Sequence, residues 1–165
     1  MQRSSRLQDK WQNAVFFLIG LVIVVADQLS KAWIKTNLAS GESLLDTGFF
    51  RITHVHNTGA AFGIFQDHSL MLTIIGIIGV IAILICSRFS SSSVPVLRSW
   101  LGRIALGLVL GGTVGNLIDR LHQGYVTDFI DFRFWPAFNV ADAAVTVGVI
   151  ILACSLLRLA LSSKS

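Results

Sequence analysis

Long apolar runs dominate this chain, and four of them are long enough to cross a membrane as helices. A hydrocarbon core of ~30 Å takes about 20 helical residues. The candidates are NAVFFLIGLVIVVADQLSKAWI over 13–34, SLMLTIIGIIGVIAILIC within 69–87, WLGRIALGLVLGGTVGNLI within 98–120 and FNVADAAVTVGVIILACSLL within 138–160. The pattern predicts an all-α polytopic membrane protein with four transmembrane helices, folded as one integral membrane domain over 1–165. The connections are short. SSSSVP at 90–95 reads as a polar loop with a helix-breaking proline, and 121–137 as a loop between the last two spans. Arg3, Arg6 and Lys10 ahead of the first run resemble the start of a cleaved signal peptide. No A-x-A site follows, however, and the run continues into Asp27-Gln28, so the segment is expected to stay as a span.

Composition sharpens this picture. The 165 residues are 53% hydrophobic and 13% charged, with a mean hydropathy of +0.71, values that belong to membrane proteins. The net charge of +4 does not form a basic stripe interleaved with aromatics, so no nucleic-acid partner is expected. It reads instead as topology, because Lys and Arg are retained on the cytoplasmic side. Arg3, Arg6, Lys10, Arg88, Arg98, Arg103, Arg158 and Lys164 mark one side and Lys31, Lys35, Arg51, Arg120 and Arg133 the other, which puts both termini in the cytoplasm. Cys86 and Cys154 lie inside apolar runs, where a thiol behaves as a small hydrophobe, and no disulfide is expected.

The acids are more lopsided than the bases. Only Asp9 falls on the cytoplasmic side; Asp27, Glu42, Asp46, Asp67, Asp119, Asp128, Asp131 and Asp142 fall on or near the other. Ionisable groups within spans are costly and mark function by default. Asp27 and Lys31 are spaced for an ion pair on one helical face. Gly112, Asn116 and Asp119 share a face of the third span, and Gly107, Gly111 and Gly115 recur every fourth residue as a packing surface does. Asn139 and Asp142 stand where the fourth helix should begin, and a capping box would explain them with no chemistry at all. Depth favours a site. At 1.5 Å per residue Asp27 lies about 20 Å and Asn116 about 24 Å along outward-running helices, while Asp142 lies within about one turn of the start of an inward-running one. With Asp128 and Asp131 of GYVTDFIDFRFWP, four segments deliver carboxylates and amides to one layer at the outer surface. Spacing alone does not choose between Asp128 and Asp131.

LLDTGFF at 44–50 carries the tripeptide of pepsin-like and retroviral aspartic proteases. Those enzymes are soluble β-proteins in which a small residue usually follows the glycine. Here Phe49 follows, and no second copy exists to supply a partner. Asp46-Thr47-Gly48 reads as a turn leading into a surface strand.

Five motifs in order resemble bacterial lipoprotein signal peptidase, the signal peptidase II family. They are Asp27-Gln28-Leu29-Ser30-Lys31, then Asn57-Thr58-Gly59-Ala60-Ala61-Phe62-Gly63, then GGTVGNLIDR over 111–120, then Val126-Thr127-Asp128-Phe129, and last Phe138-Asn139-Val140-Ala141-Asp142. The resemblance runs from the first span into the fourth. It implies a multi-pass aspartic endopeptidase of the bacterial inner membrane that cleaves diacylglyceryl-modified prolipoproteins on the amino side of the lipidated cysteine. It assigns the catalytic pair to Asp128 and Asp142. Asn116, Arg120 and Asn139 would orient that pair and the substrate, Asp27 and Lys31 would steady the first helix, and Asn57, Gly59 and Ala141 belong to the supporting motifs. It also implies a small β-rich extracytoplasmic element between helices 1 and 2, about 42–66, which fits the alternation in FFRITHVHN. The partners would be lipid-modified substrates and membrane lipids, the chain a monomer, and no metal or organic cofactor would be needed.

Two other classes compete with this reading. A metal-dependent membrane hydrolase could use His54 and His56 on one face of a strand, although no third ligand stands at a supporting spacing. A small transporter could use Asp27 and Asn116 as an ion path, although the internal repeat and broken helices common in transporters are missing from the sequence. With no lipobox cysteine near its start, the chain is not expected to be a lipoprotein itself.

Overall fold

The computed structural model describes residues 2–60, 64–89 and 95–162. Helix α1 runs over Gln2–Asn37 and is followed by strands β1 (Ser43–Asp46) and β2 (Arg51–Asn57). Then come α2 (Ser69–Phe89), the single turn α3 (Pro95–Arg98), α4 (Trp100–Gln123), β3 (Val126–Asp131) and α5 (Val140–Ser162). Four helices have the length and apolarity of membrane spans: 10–37 within α1, 69–88 within α2, and all of α4 and α5. Ala61, Phe62, Gly63 and most of the 90–95 connection lie outside the described residues.

Helix α4 is the centre of the bundle. Half of its most apolar window is buried inside the protein, against 6% for α2 and 11% for α5. Leu18, Leu21, Ile78 and Leu157 on the other spans are more than half exposed within the protein, a distribution stable only where the solvent is lipid. The glycines of α4 explain its central place. A Cβ at Gly107 would come within 2.7 Å of the Phe16 carbonyl oxygen, one at Gly111 within 2.6 Å of Gly20 O, and one at Gly112 would overlap Ala141 O. The backbones of α1 and α5 therefore press directly on α4, as small residues allow in membranes. Phe16, Leu106 and Leu110 fill the crossing, with Val80, Ile83, Leu97, Val114 and Leu152 around them. Ser99 caps α4 by accepting the Gly102 N–H at 3.0 Å, and Gly124 ends it in the left-handed conformation at φ 80°.

The β-rich element between the first two spans is a hairpin of β1 and β2, and the sheet then takes a third strand from the connection between α4 and α5. The order is β1-β2-β3, all antiparallel. The sequence predicts a loop over 121–137, whereas the structure places β3 within it; VTDFID does not alternate in polarity as a half-buried strand would. The structure shows why: Val126, Thr127, Asp128 and Phe129 are all buried, on both faces of the strand. Phe129 packs with Ile34 and Leu38 at the end of α1 and with Val140 at the start of α5, fastening the sheet to one end of the bundle.

Candidate active site

Backbone pairing brings the two acidic segments together. Phe138 exchanges hydrogen bonds with Ile130, at 2.9 and 3.0 Å, so the residue preceding Asn139 lies beside β3 two residues after Asp128. On the other side of β3, Asn57 is opposite Val126, which makes Asp128 its diagonal neighbour on the same face. The strand pairing, rather than proximity in sequence, assembles these groups.

Three asparagines then hold two carboxylates. Asn57 Nδ2 donates to Asp128 Oδ2 at 2.8 Å, and Asn139 Nδ2 donates to Asp128 Oδ1 at 2.7 Å. Asn116 Nδ2 donates to Asp142 Oδ1 at 2.7 Å, while the Asn139 backbone N–H reaches Asp142 Oδ2 at 3.2 Å. The orientation of each amide is set from behind. The Asn57 carbonyl accepts Gly59 N–H at 2.9 Å, that of Asn116 accepts Lys31 Nζ at 2.9 Å, and that of Asn139 accepts Asp142 N–H at 3.0 Å. Every amide is thus committed to presenting its NH₂ to a carboxylate. The Asn139–Asp142 exchange is the capping box that the spacing allows, and its members also face Asp128. The cap and the site are the same residues.

A second layer supports the first. Asp27 and Lys31 are fully buried and paired at 2.8 Å; Lys31 also meets Asp119 at 3.0 Å. Asp27 Oδ1 accepts the Ala141 N–H at 3.0 Å, one of the orphan donors of the first turn of α5. Asp119 Oδ2 accepts Thr127 N–H at 3.1 Å, and Gln28 Nε2 donates to Gly115 O at 3.1 Å. These groups tie α1, α4, β3 and α5 together directly behind the carboxylates. Asp119 and Gln28 were not among the site residues read from the sequence, although Asp119 shares a helical face with Asn116, which is the signal that could have included it. Arg120 Nη2 donates to Gly59 O at 3.0 Å, fixing the turn after β2.

A cavity of about 660 Å³ opens in front of these groups. Asn57, Gly59, Asn116, Arg120 and Asp142 line its polar end, and Leu72, Leu117 and Val145 its apolar part. Asp128, at 1% exposure, has a carboxyl pushed up to about 7. Burial is the larger cause and the neighbouring Asp142 the next, outweighing the hydrogen bonds from Asn57 and Asn139.

The remaining candidates stand apart. Asp131 bonds Arg51 Nε at 2.6 Å and the Arg133 N–H at 2.7 Å, which hold its carboxyl below the usual range. Asp46 accepts the N–H of Gly48 at 3.0 Å, pairs with Arg133, and is exposed at the β1–β2 turn. His54 and His56 bond each other, Nε2 to Nε2 at 3.2 Å. Among the described residues no third His, Cys, Asp or Glu joins them as a metal-ligand set.

A family profile described as Signal peptidase (SPase) II matches residues 19–158. The chain belongs to the signal peptidase II family. It is accordingly a peptidase, built on a multi-pass membrane fold. The lipoprotein signal peptidase of Dehalococcoides mccartyi is 52% identical over 139 residues, covering 84% of this chain and 86% of that protein. That of Moorella thermoacetica is 46% identical over 143 residues, covering 86% and 92%. A solved structure described as a bacterial membrane enzyme, obtained by the in meso method at 2.3 Å resolution, matches with a TM-score of 0.78 at 34% identity over 88% of each chain. In this signal peptidase II family member the matched region contains all five motifs.

Proposed function

We propose that this enzyme is an aspartic endopeptidase that removes the signal peptide from diacylglyceryl-modified prolipoproteins, cleaving on the amino side of the lipidated cysteine, with Asp128 and Asp142 as its catalytic pair. The observation that carries this reading is the shared asparagine. Asn139 donates to Asp128 and exchanges two bonds with Asp142, so a buried carboxyl and a half-buried one are held to one fixed group at the polar end of a cavity between the spans.

The chemistry follows from that arrangement. Two adjoining carboxyls do not both ionise near neutrality, and the Asp128 carboxyl, with its value of about 7, is the one that keeps a proton. Asp142 is the ionised partner. It sits in the first turn of α5, where the helix dipole favours an anion, and it accepts hydrogen bonds from Asn116 and Asn139. Asp142 removes a proton from water as the oxygen attacks the scissile carbonyl, and the Asp128 hydroxyl donates to the developing oxyanion. Collapse of the tetrahedral intermediate breaks the C–N bond, and the proton held by Asp142 passes to the leaving amine. No step needs a Lewis acid. The groups involved all come from one chain, in keeping with a monomer working at the outer face of the bacterial inner membrane, with signal peptide and acyl chains entering from the bilayer.

The test is cleavage of a diacylglyceryl-modified prolipoprotein by purified enzyme in detergent. The wild type should cleave in the presence of EDTA or phenanthroline, and so should the double variant His54→Ala with His56→Ala. Asp128→Asn and Asp142→Asn should each lose about 10²- to 10⁴-fold, the usual share of general acid–base catalysis, while Asp131→Asn stays active. Robust turnover by either dyad variant would sink the assignment. Metal-restored activity after chelation would favour a metallohydrolase.

A further inference from the structure

Most glycines in the spans are explained by backbones that press on them. At Gly107, Gly111 and Gly148 an added Cβ would meet a carbonyl oxygen of another helix within 2.7 Å, and at Gly115 it would come within 2.6 Å of Asp27 Oδ2. Gly76 of α2 is different. A Cβ there would meet only the tip of the Leu117 side chain, at an ordinary 3.5 Å. Packing does not require glycine at this position, and glycine within a helix is less favourable than alanine.

What Gly76 does is face the cavity. It lines the apolar part with Leu72, one turn away on α2, opposite Thr113 and Leu117 of α4 and Val145 and Thr146 of α5. Helix α2 packs on α4 and makes no comparable contact with α5, so α2 and α5 each flank the cavity from their own contact with α4. A side chain at position 76 would start beside Leu117 and take up room in the cavity that Asn116 and Asp142 also line.

We infer that Gly76 is a specificity-determining residue: by lacking a side chain it sets the size of the aliphatic group of the substrate that the cavity beside the carboxylates accepts. The inference rests on the function proposed above. The shared ligand chemistry is a saturated hydrocarbon group. An acyl chain of the diacylglyceryl unit and a branched apolar side chain of the signal peptide near the scissile bond both supply it, and the two are separable by experiment.

The test compares wild type, Gly76→Ala and Gly76→Leu in kcat/KM on two substrate series. In one, the peptide is constant and the two acyl chains are long or short; in the other, the lipid is constant and the apolar residues before the scissile bond are large or small. Gly76→Leu should lose roughly tenfold or more on the larger member of one series relative to the smaller, the discrimination that a few methylene groups give in an apolar pocket. The series that shows the loss identifies the occupant. Gly79→Leu is the control, since Gly79 is on the same helix, its added Cβ would meet only Thr113 Cγ2 at an ordinary 3.9 Å, and it does not line the cavity; it should affect both members of each series equally. Should Gly76→Leu fail to fold, Gly76→Ala, for whose Cβ there is room, must show the same ordering at roughly a few-fold. An equal loss on every substrate, or no change in a folded variant, overturns the inference. Wild type that cleaves no lipid-modified substrate at all would overturn it too, and would do so by removing the proposed function beneath it.

Discussion

Asp128 and Asp46 show how far surroundings decide what a carboxyl can do. Asp128 is buried beside another acid, and its carboxyl rises to about 7; Asp46 is exposed beside Arg133, and its carboxyl falls, chiefly through the Gly48 N–H bond. The difference sets the sign of a pH prediction. If the Asp128 proton is needed for the oxyanion, activity is present below pH 7 and is lost as pH rises through about 7, because the raised group then ionises. The alkaline limb of kcat/KM should approach a tenfold loss per unit, and a profile flat from pH 6 to 9 would contradict the role. For Asp46 the expectation is the opposite of catalysis. Asn can still accept the Gly48 N–H bond, so Asp46→Asn should turn over lipid-modified substrate within about threefold of wild type, while Asp128→Asn in the same preparation loses at least ~10²-fold. A dead Asp46→Asn beside a live Asp128→Asn would return the tripeptide to the active site.

At the scale of elements, the arrangement depends on how closely helices approach α4. Gly111 lies against Gly20 of α1, with room for neither a methyl group nor anything larger. Gly111→Val should therefore cost about 1–3 kcal/mol of stability through overpacking and part α1 from α4, weakening the reach of Lys31 to Asn116 as well. Thermal unfolding in detergent would measure the first effect; turnover at a temperature where the variant is folded would measure the second. Gly79→Ala, with only Thr113 Cγ2 at 3.9 Å, should leave the unfolding temperature within a degree or two. Equal effects of the two substitutions would mean that the glycine contacts do not set the helix spacing.

For the whole molecule, the sheet and the cavity's polar end share one end of the bundle, where α1 and α4 finish and α2 and α5 start. From the positions of Lys and Arg along the chain we propose that this end faces the extracytoplasmic side. In a background carrying Cys86→Ala and Cys154→Ala, Ser43→Cys in β1 should react with a membrane-impermeant maleimide on intact spheroplasts. Ser162→Cys at the end of α5 should react only after permeabilisation. The reverse pattern would invert the topology and place the carboxylates on the wrong side for an exported substrate.

The spans, their order and the Asp27–Lys31 and Asn139–Asp142 pairings were legible in the sequence because they are local. A span is a run of apolar residues, and an i,i+4 ion pair or a capping box is a spacing on one helix. The choice of Asp128 over Asp131 was not legible from spacing. Three residues apart on one strand, the two acids point to opposite faces: the Arg51 side chain takes Asp131, and Asn57 and Asn139 take Asp128. That division follows from the β2–β3 register and the Ile130–Phe138 bridge, both contacts between segments distant in sequence. The third strand was hidden for a related reason, since a strand buried on both faces does not alternate. Local chemistry thus decided which elements form and which pairs sit on them. Only tertiary packing decided which carboxyls lose water, and it is the loss of water that makes one of them hold its proton near neutral pH.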